Sequence, residues 1–164
     1  AQARAMGFAV TDPDTDIMTC AADIYAPCAL GGDLRDETIA QLAKAGVKIV
    51  CGAANNQLSK PHHVERLQEK GILYVPDYLA NAGGVISVGI QQVWSEMPRA
   101  ETFPTHTKIM HRIGRIHDEA IGVFKRAQDR GANTAHIANI IAEERFRPAT
   151  MPRAAKGGGV ADAA

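Results

Sequence analysis

The sequence predicts an α/β fold, a parallel sheet built from strand–helix–strand units and closed by carboxyl-terminal helices. Three observations carry this expectation. Short β-branched runs alternate with helical patterns through the first half of the chain. Glycines follow those helical patterns, and capping or proline signals precede them. From Val85 onward the pattern is helical. The 164 residues are 46% apolar and 22% charged, enough to bury a core and too apolar for a disordered chain.

The elements follow in order. Phe8-Ala9-Val10, after Gly7, reads as a first strand, and Asp23-Ile24-Tyr25-Ala26, ending at Pro27, as a second. Asp36 is placed to cap a helix with apolar positions Ile39, Leu42 and Ala43, and Gly46 supplies its terminating residue. Val47-Lys48-Ile49-Val50-Cys51 reads as a buried strand. Ser59 and Pro61 open a helix that presents Val64 and Leu67 and stops at Gly71, and Ile72-Leu73-Tyr74-Val75 is a fourth strand. One helix is expected from Val85 to Glu96 and a longer one from Thr107 to Arg130. In the longer helix Ile109, Ile113, Ile116, Ala120, Val123 or Phe124, and Ala127 form a stripe at three- and four-residue steps. Gly131 ends it, and Asn133 or Thr134 caps a last helix bearing Ile137, Ile140 and Ile141. The tail from Arg147, with Pro148, Pro152 and Gly157-Gly158-Gly159, reads as a frayed terminus.

Eighteen basic residues balance eighteen acidic ones, which argues against a nucleic-acid partner. No apolar run is long enough for a membrane span. Three cysteines without C-x-x-C spacing point to a reducing, cytoplasmic compartment and no disulfide framework.

Each expected strand runs into a small, polar or glycine-bearing turn. These are Asp12-Pro13, then Pro27-Cys28-Ala29-Leu30-Gly31-Gly32, then Ala53-Ala54-Asn55-Asn56-Gln57, then Pro76-Asp77 leading to Asn81-Ala82-Gly83-Gly84. In an open parallel sheet the carboxyl ends of the strands share one edge, and ligands bind in the crevice there. Taken singly, each turn is also an ordinary strand–helix connection.

Asp23 to Gly31, Gly52 to Leu58, Pro76-Asp77-Tyr78 and Asn81 to Ile86, in this order and spacing, closely resemble the amino-acid dehydrogenase family, as does Ala142-Glu143-Glu144-Arg145-Phe146. Within that family the nearest relatives look like the leucine, valine and phenylalanine dehydrogenases, leucine and valine first, with glutamate dehydrogenase more distant. The resemblance covers about residues 1–147. It implies a partial Rossmann-type, doubly wound domain that binds NAD. The reaction it implies is reversible oxidative deamination of an L-amino acid to a 2-oxo acid and ammonia, in a homo-oligomer. By the same resemblance Pro27, Cys28, Ala29, Ala53 and Ala54 line the cofactor. Asn55 stands where nicotinamide ribose and substrate carboxylate meet, and Asn81 borders the nicotinamide. Val85 and Val88 would line the pocket for a branched side chain such as that of leucine or valine, although two valines at this step also suit a core.

The chain lacks the G-x-G-x-x-G turn that holds the pyrophosphate and the acidic residue expected about 20 residues beyond it. In the family both precede the position of Ala1, as does an amino-terminal substrate domain with its lysines and general acid–base aspartate. Residues 1–146 are therefore expected to be the later part of the NAD-binding domain, with 147–164 a flexible tail. None of them is expected to be catalytic, and the isolated chain is expected to be inactive with little NAD affinity. Phenylalanine or glutamate dehydrogenase remains an alternative assignment. A non-catalytic module that associates through the stripe from Ile109 to Phe124 is another.

Metal binding is not expected. His106, His111 and His117 do not share a face at ligand spacing, and the rings of His62 and His63 are expected to point apart. Arg112, Arg115, Arg126 and Arg130 are expected to meet Asp118, Glu119 and Asp129 on a solvated face.

Overall fold

The computed structural model describes residues 2–12, 14–95 and 106–147. Three parallel strands, β1 (Ile24–Tyr25), β2 (Ile49–Val50) and β3 (Leu73–Tyr74), form a sheet in the order β1-β2-β3. Around them lie α1 (Gln2–Ala5), a 3-10 turn at Ile17–Thr19, α2 (Asp36–Lys44), α3 (His63–Glu69), α4 (Asp77–Ala80), α5 (Gly83–Ser95), α6 (His106–Arg130) and α7 (Thr134–Phe146). This is a mixed α/β fold with a small parallel sheet and many helices.

The strand pattern follows the pleat. In register, Tyr25, Val50 and Tyr74 form one row and Ile24, Ile49 and Leu73 the other. The first row enters the main core with Ile39 and Leu42 of α2 and Val64 and Leu67 of α3. The second row is less covered, and Ile24 is 56% exposed. Backbone bonds extend the pairing beyond the short ladders, from Lys48 N–H to Asp23 C=O and from Val75 N–H to Val50 C=O, both at 2.9 Å.

Phe8-Ala9-Val10 does not form the expected strand. Its residues pair with no strand among those described, and Phe8 and Val10 are exposed. An aromatic and β-branched run favours a pleated conformation only where a neighbour supplies hydrogen bonds and cover. The Asp12 turn therefore ends no strand, and Pro13 lies outside the described residues.

α2 starts at the expected place with a different cap. Arg35 is the N-cap residue, and its N–H donates to Thr38 Oγ1 at 3.0 Å, while Asp36 is the first helical residue. Gly46, Gly71 and Gly131 follow α2, α3 and α6 with positive φ, as the helix-stop reading requires. Asn133 caps α7, its side-chain oxygen accepting from His136 N–H at 2.7 Å.

The stripe of α6 is spent largely within the chain. Val123 and Ala127 pack with Ile137 and Ala138 of α7, joined by Leu79 and Phe124, and Ile113 approaches Gly83 of α5. That internal packing removes the main support for a module associating through the whole stripe. Arg126 pairs with Glu144 of α7 through its two terminal guanidinium nitrogens, and Arg145 of α7 pairs with Glu119. Helix-to-helix pairing thus replaces the expected solvated match for Arg126, while Arg115 approaches Glu119 at 3.8 Å. α7 is anchored to the sheet where Thr134 Oγ1 donates to Tyr74 C=O. Among the described residues no helix is long and apolar enough to cross a membrane. Glu96 and residues 148–164, on which parts of the expected helix and tail fall, lie outside the description.

Candidate cofactor-binding face at the strand tips

The carboxyl ends of β1, β2 and β3 carry three turns, and the structure locks them together. Pro27 C=O after β1 accepts from Ala54 N–H after β2 at 2.9 Å. Gly32 N–H donates to Asn56 C=O at 2.7 Å, and Leu34 N–H to Gln57 C=O at 3.0 Å. Glycine permits this closeness. A Cβ on Gly52 would overlap the Pro27 backbone, and one on Gly31 would overlap the Asn55 carbonyl.

The third turn joins through side chains. Asn81, after the single turn of α4, donates from Nδ2 to Asn55 Oδ1 at 2.7 Å and to Ala53 C=O at 3.4 Å. Asp77 at the start of α4 accepts the Asn56 N–H at 2.5 Å through Oδ2. From within, the fully buried Gln57 donates from Nε2 to Gly52 C=O at 2.8 Å and Ala54 C=O at 2.9 Å.

The expected site residues thus fall on one edge. Asn55, Asn81, Ala53, Ala54 and Pro27 are tied by the bonds above, with Cys28 and Ala29 in the same turn as Pro27. Ala29, Ala53 and Asn55 are exposed, Asn81 is half-buried, and Pro27 and Ala54 are buried. Cys28 is exposed, and all three cysteines are free. Burial, and then the neighbouring Cys28 thiol, push the Cys51 thiol above its ordinary value. Val85 and Val88 lie on α5, 71% and 61% exposed, so core packing does not account for them.

Chemically, the face offers small exposed side chains beside one amide donor and one amide acceptor. Both N–H groups of Asn81 point into the protein, leaving its Oδ1 as the acceptor. Asn55 uses its oxygen on Asn81, leaving its Nδ2 as the donor. This set fits the hydroxyl and carboxamide groups of a nicotinamide nucleoside. A cavity of about 440 Å³ lies elsewhere, beside the amino end of β3 between Ile72, Phe124 and Asn133.

The family resemblance singles out Asn55 and Asn81 and gives no role to Asp77 or Gln57. The signals available for those two were an acidic residue after Pro76 and a glutamine ending the Asn55-Asn56 turn.

Among the described residues, Asp36, His62 and His63 have potential ligand atoms within 4.8 Å of one another. The two rings do not point apart but meet edge to face, with centroids 4.5 Å apart. His63 Nδ1 accepts from Lys60 N–H at 3.1 Å. Its Nε2 faces Asp36 at 3.8 Å.

Residues 3–153 match the family model of glutamate/leucine/phenylalanine/valine dehydrogenase. The chain is 42% identical over 145 residues to a valine dehydrogenase of Streptomyces albus, covering 88% of this chain and 36% of that protein. It is 40% identical over 148 residues to a leucine dehydrogenase of Geobacillus stearothermophilus, covering 90% and 36%. The crystal structure of L-tryptophan dehydrogenase from Nostoc punctiforme superposes with a TM-score of 0.74 at 38% identity, over 87% of this chain and 39% of that one. The chain therefore spans little more than a third of the length of the curated relatives it matches. With the family's turns present at three strand tips and the match running through nearly the whole sequence, the chain belongs to the glutamate/leucine/phenylalanine/valine dehydrogenase family.

Proposed function

We propose that this chain is the later part of the NAD-binding domain of an amino-acid dehydrogenase, with residues 1–146 contributing to that domain. In the complete enzyme an L-amino acid is oxidised to a 2-oxo acid with release of ammonia. NAD, when bound, supplies the acceptor for the hydride leaving the α-carbon. This chain's share of the work is binding and orientation. Pro27, Cys28, Ala29, Ala53 and Ala54 form a low wall of small groups that a nicotinamide can approach closely. The Asn55 amide donates to ribose or substrate carboxylate oxygen, and Asn81 Oδ1 accepts from the nicotinamide side. No residue here acts as general acid or base; those groups belong to the rest of the enzyme.

The observation that carries the reading is the 2.7 Å bond from Asn81 to Asn55, which joins the tips of β2 and β3 at one polar point. The exposure of Val85 and Val88 favours a further step, a branched aliphatic substrate such as leucine or valine, with β-branched side chains shaping the pocket. The sparsely covered row Ile24, Ile49 and Leu73 is where the remainder of the enzyme packs. A cytoplasmic homo-oligomer completes the proposal, supported by three free cysteines and by apolar residues such as Met110 and Phe146 left exposed on α6 and α7.

Asn55→Ala in the complete enzyme tests it. Losing one ligand hydrogen bond is expected to raise the KM values for NAD and amino acid by about tenfold to a hundredfold. Unchanged kinetic constants would remove Asn55 from the site.

A further inference from the structure

We infer that Asp77 is a positioning residue for the cofactor face, acting through the turn that carries Asn55. Asn56 is the sole non-glycine residue among those described with a left-handed backbone, at φ +53°. Such a conformation is sparsely populated and persists where surrounding contacts hold it. Here its N–H is held by Asp77 Oδ2 at 2.5 Å, from a carboxylate 21 positions along the chain. Its C=O is held on the other side by Gly32 N–H at 2.7 Å. A charged acceptor makes the stronger kind of hydrogen bond to a backbone amide.

Asp77 is itself fixed. It begins α4, and its own N–H donates to the Tyr74 hydroxyl at 3.3 Å. α4 in turn ends at Asn81, whose amide grips Asn55 and Ala53. One turn of helix therefore clamps the 53–56 turn at two places: Asp77 holds the backbone of Asn56, and Asn81 holds the side chain of Asn55. Removing the first clamp frees the peptide next to Asn55 to leave the left-handed region and swings the Asn55 amide away from its ligand.

This role rests on the proposed contact between Asn55 and the cofactor, and the test separates the two. In the complete enzyme, Asp77→Ala is expected to raise KM for NAD about tenfold and to speed hydrogen exchange at the Asn56 amide. Asp77→Asn keeps an acceptor oxygen and is expected to restore most of both. Because Asp77 acts through Asn55, the double variant Asn55→Ala/Asp77→Ala should be no worse than Asn55→Ala alone. If Asn55→Ala impairs the enzyme while Asp77→Ala leaves KM and Asn56 exchange unchanged, Asp77 has no positioning role. Additive losses in the double variant would equally overturn it. If Asn55→Ala itself changes nothing, the cofactor contact falls and the positioning role with it.

Discussion

Gln57 sits beneath the turn with both side-chain N–H groups on main-chain carbonyls, while its Oε1 is buried without a hydrogen-bond partner. Truncating it strands the carbonyls of Gly52 and Ala54 away from water and leaves a void where the amide was. Gln57→Ala is expected to cost about 2–3 kcal/mol of stability, read from urea denaturation of wild type and variant. A loss under about 0.5 kcal/mol would mean that the turn holds its shape without this residue. The same scale shows what the sequence could reveal. Asn55 and Asn81 were legible because a recognisable order of residue types surrounds each. Asp77 and Gln57 were not, since their roles consist of side-chain bonds to backbone groups, one of them across 21 positions, which neither periodicity nor composition records.

At the level of elements, the helices were read from glycine stops and apolar stripes, and α2, α3, α6 and α7 stand within a few residues of expectation. Short-range signals served there because helix hydrogen bonds are local. Strands depend on partners, and the reading failed where a partner was required. Phe8-Ala9-Val10 has strand-like residues and no neighbour among those described, whereas Ile24-Tyr25 is framed by β2 and forms a strand. α4 leaves no such signal for another reason. A helix of four residues is too short to show a period, so Asp77 to Ala80 read as loop. That single turn nonetheless carries the spacing between Asp77 and Asn81 on which the clamp depends.

Across the molecule, the three tyrosines resist ionisation. Burial is the largest cause for Tyr25, Tyr74 and Tyr78, with carboxylates adding to it: Asp33 beside Tyr25, Asp77 beside Tyr74 and Tyr78. An unfolded tyrosine releases its proton near its ordinary value of 10.0, while the folded one keeps it. Above that pH the unfolded chain holds fewer protons than the native one, so stability is fully present below pH 10 and declines as pH rises beyond it. Unfolding free energies measured across this range should fall, and Tyr74→Phe should flatten the decline. A slope indifferent to that substitution would locate the alkaline sensitivity elsewhere.

The position of the nicotinamide can be read straight from a crystal structure of the complete enzyme with NAD bound. A ribose or substrate oxygen is expected at about 2.7–3.2 Å from Asn55 Nδ2, with the ring over the Pro27–Ala29 and Ala53–Ala54 turns. A nicotinamide seated away from all three strand tips, with Asn55 and Asn81 still bonded only to each other, would contradict it.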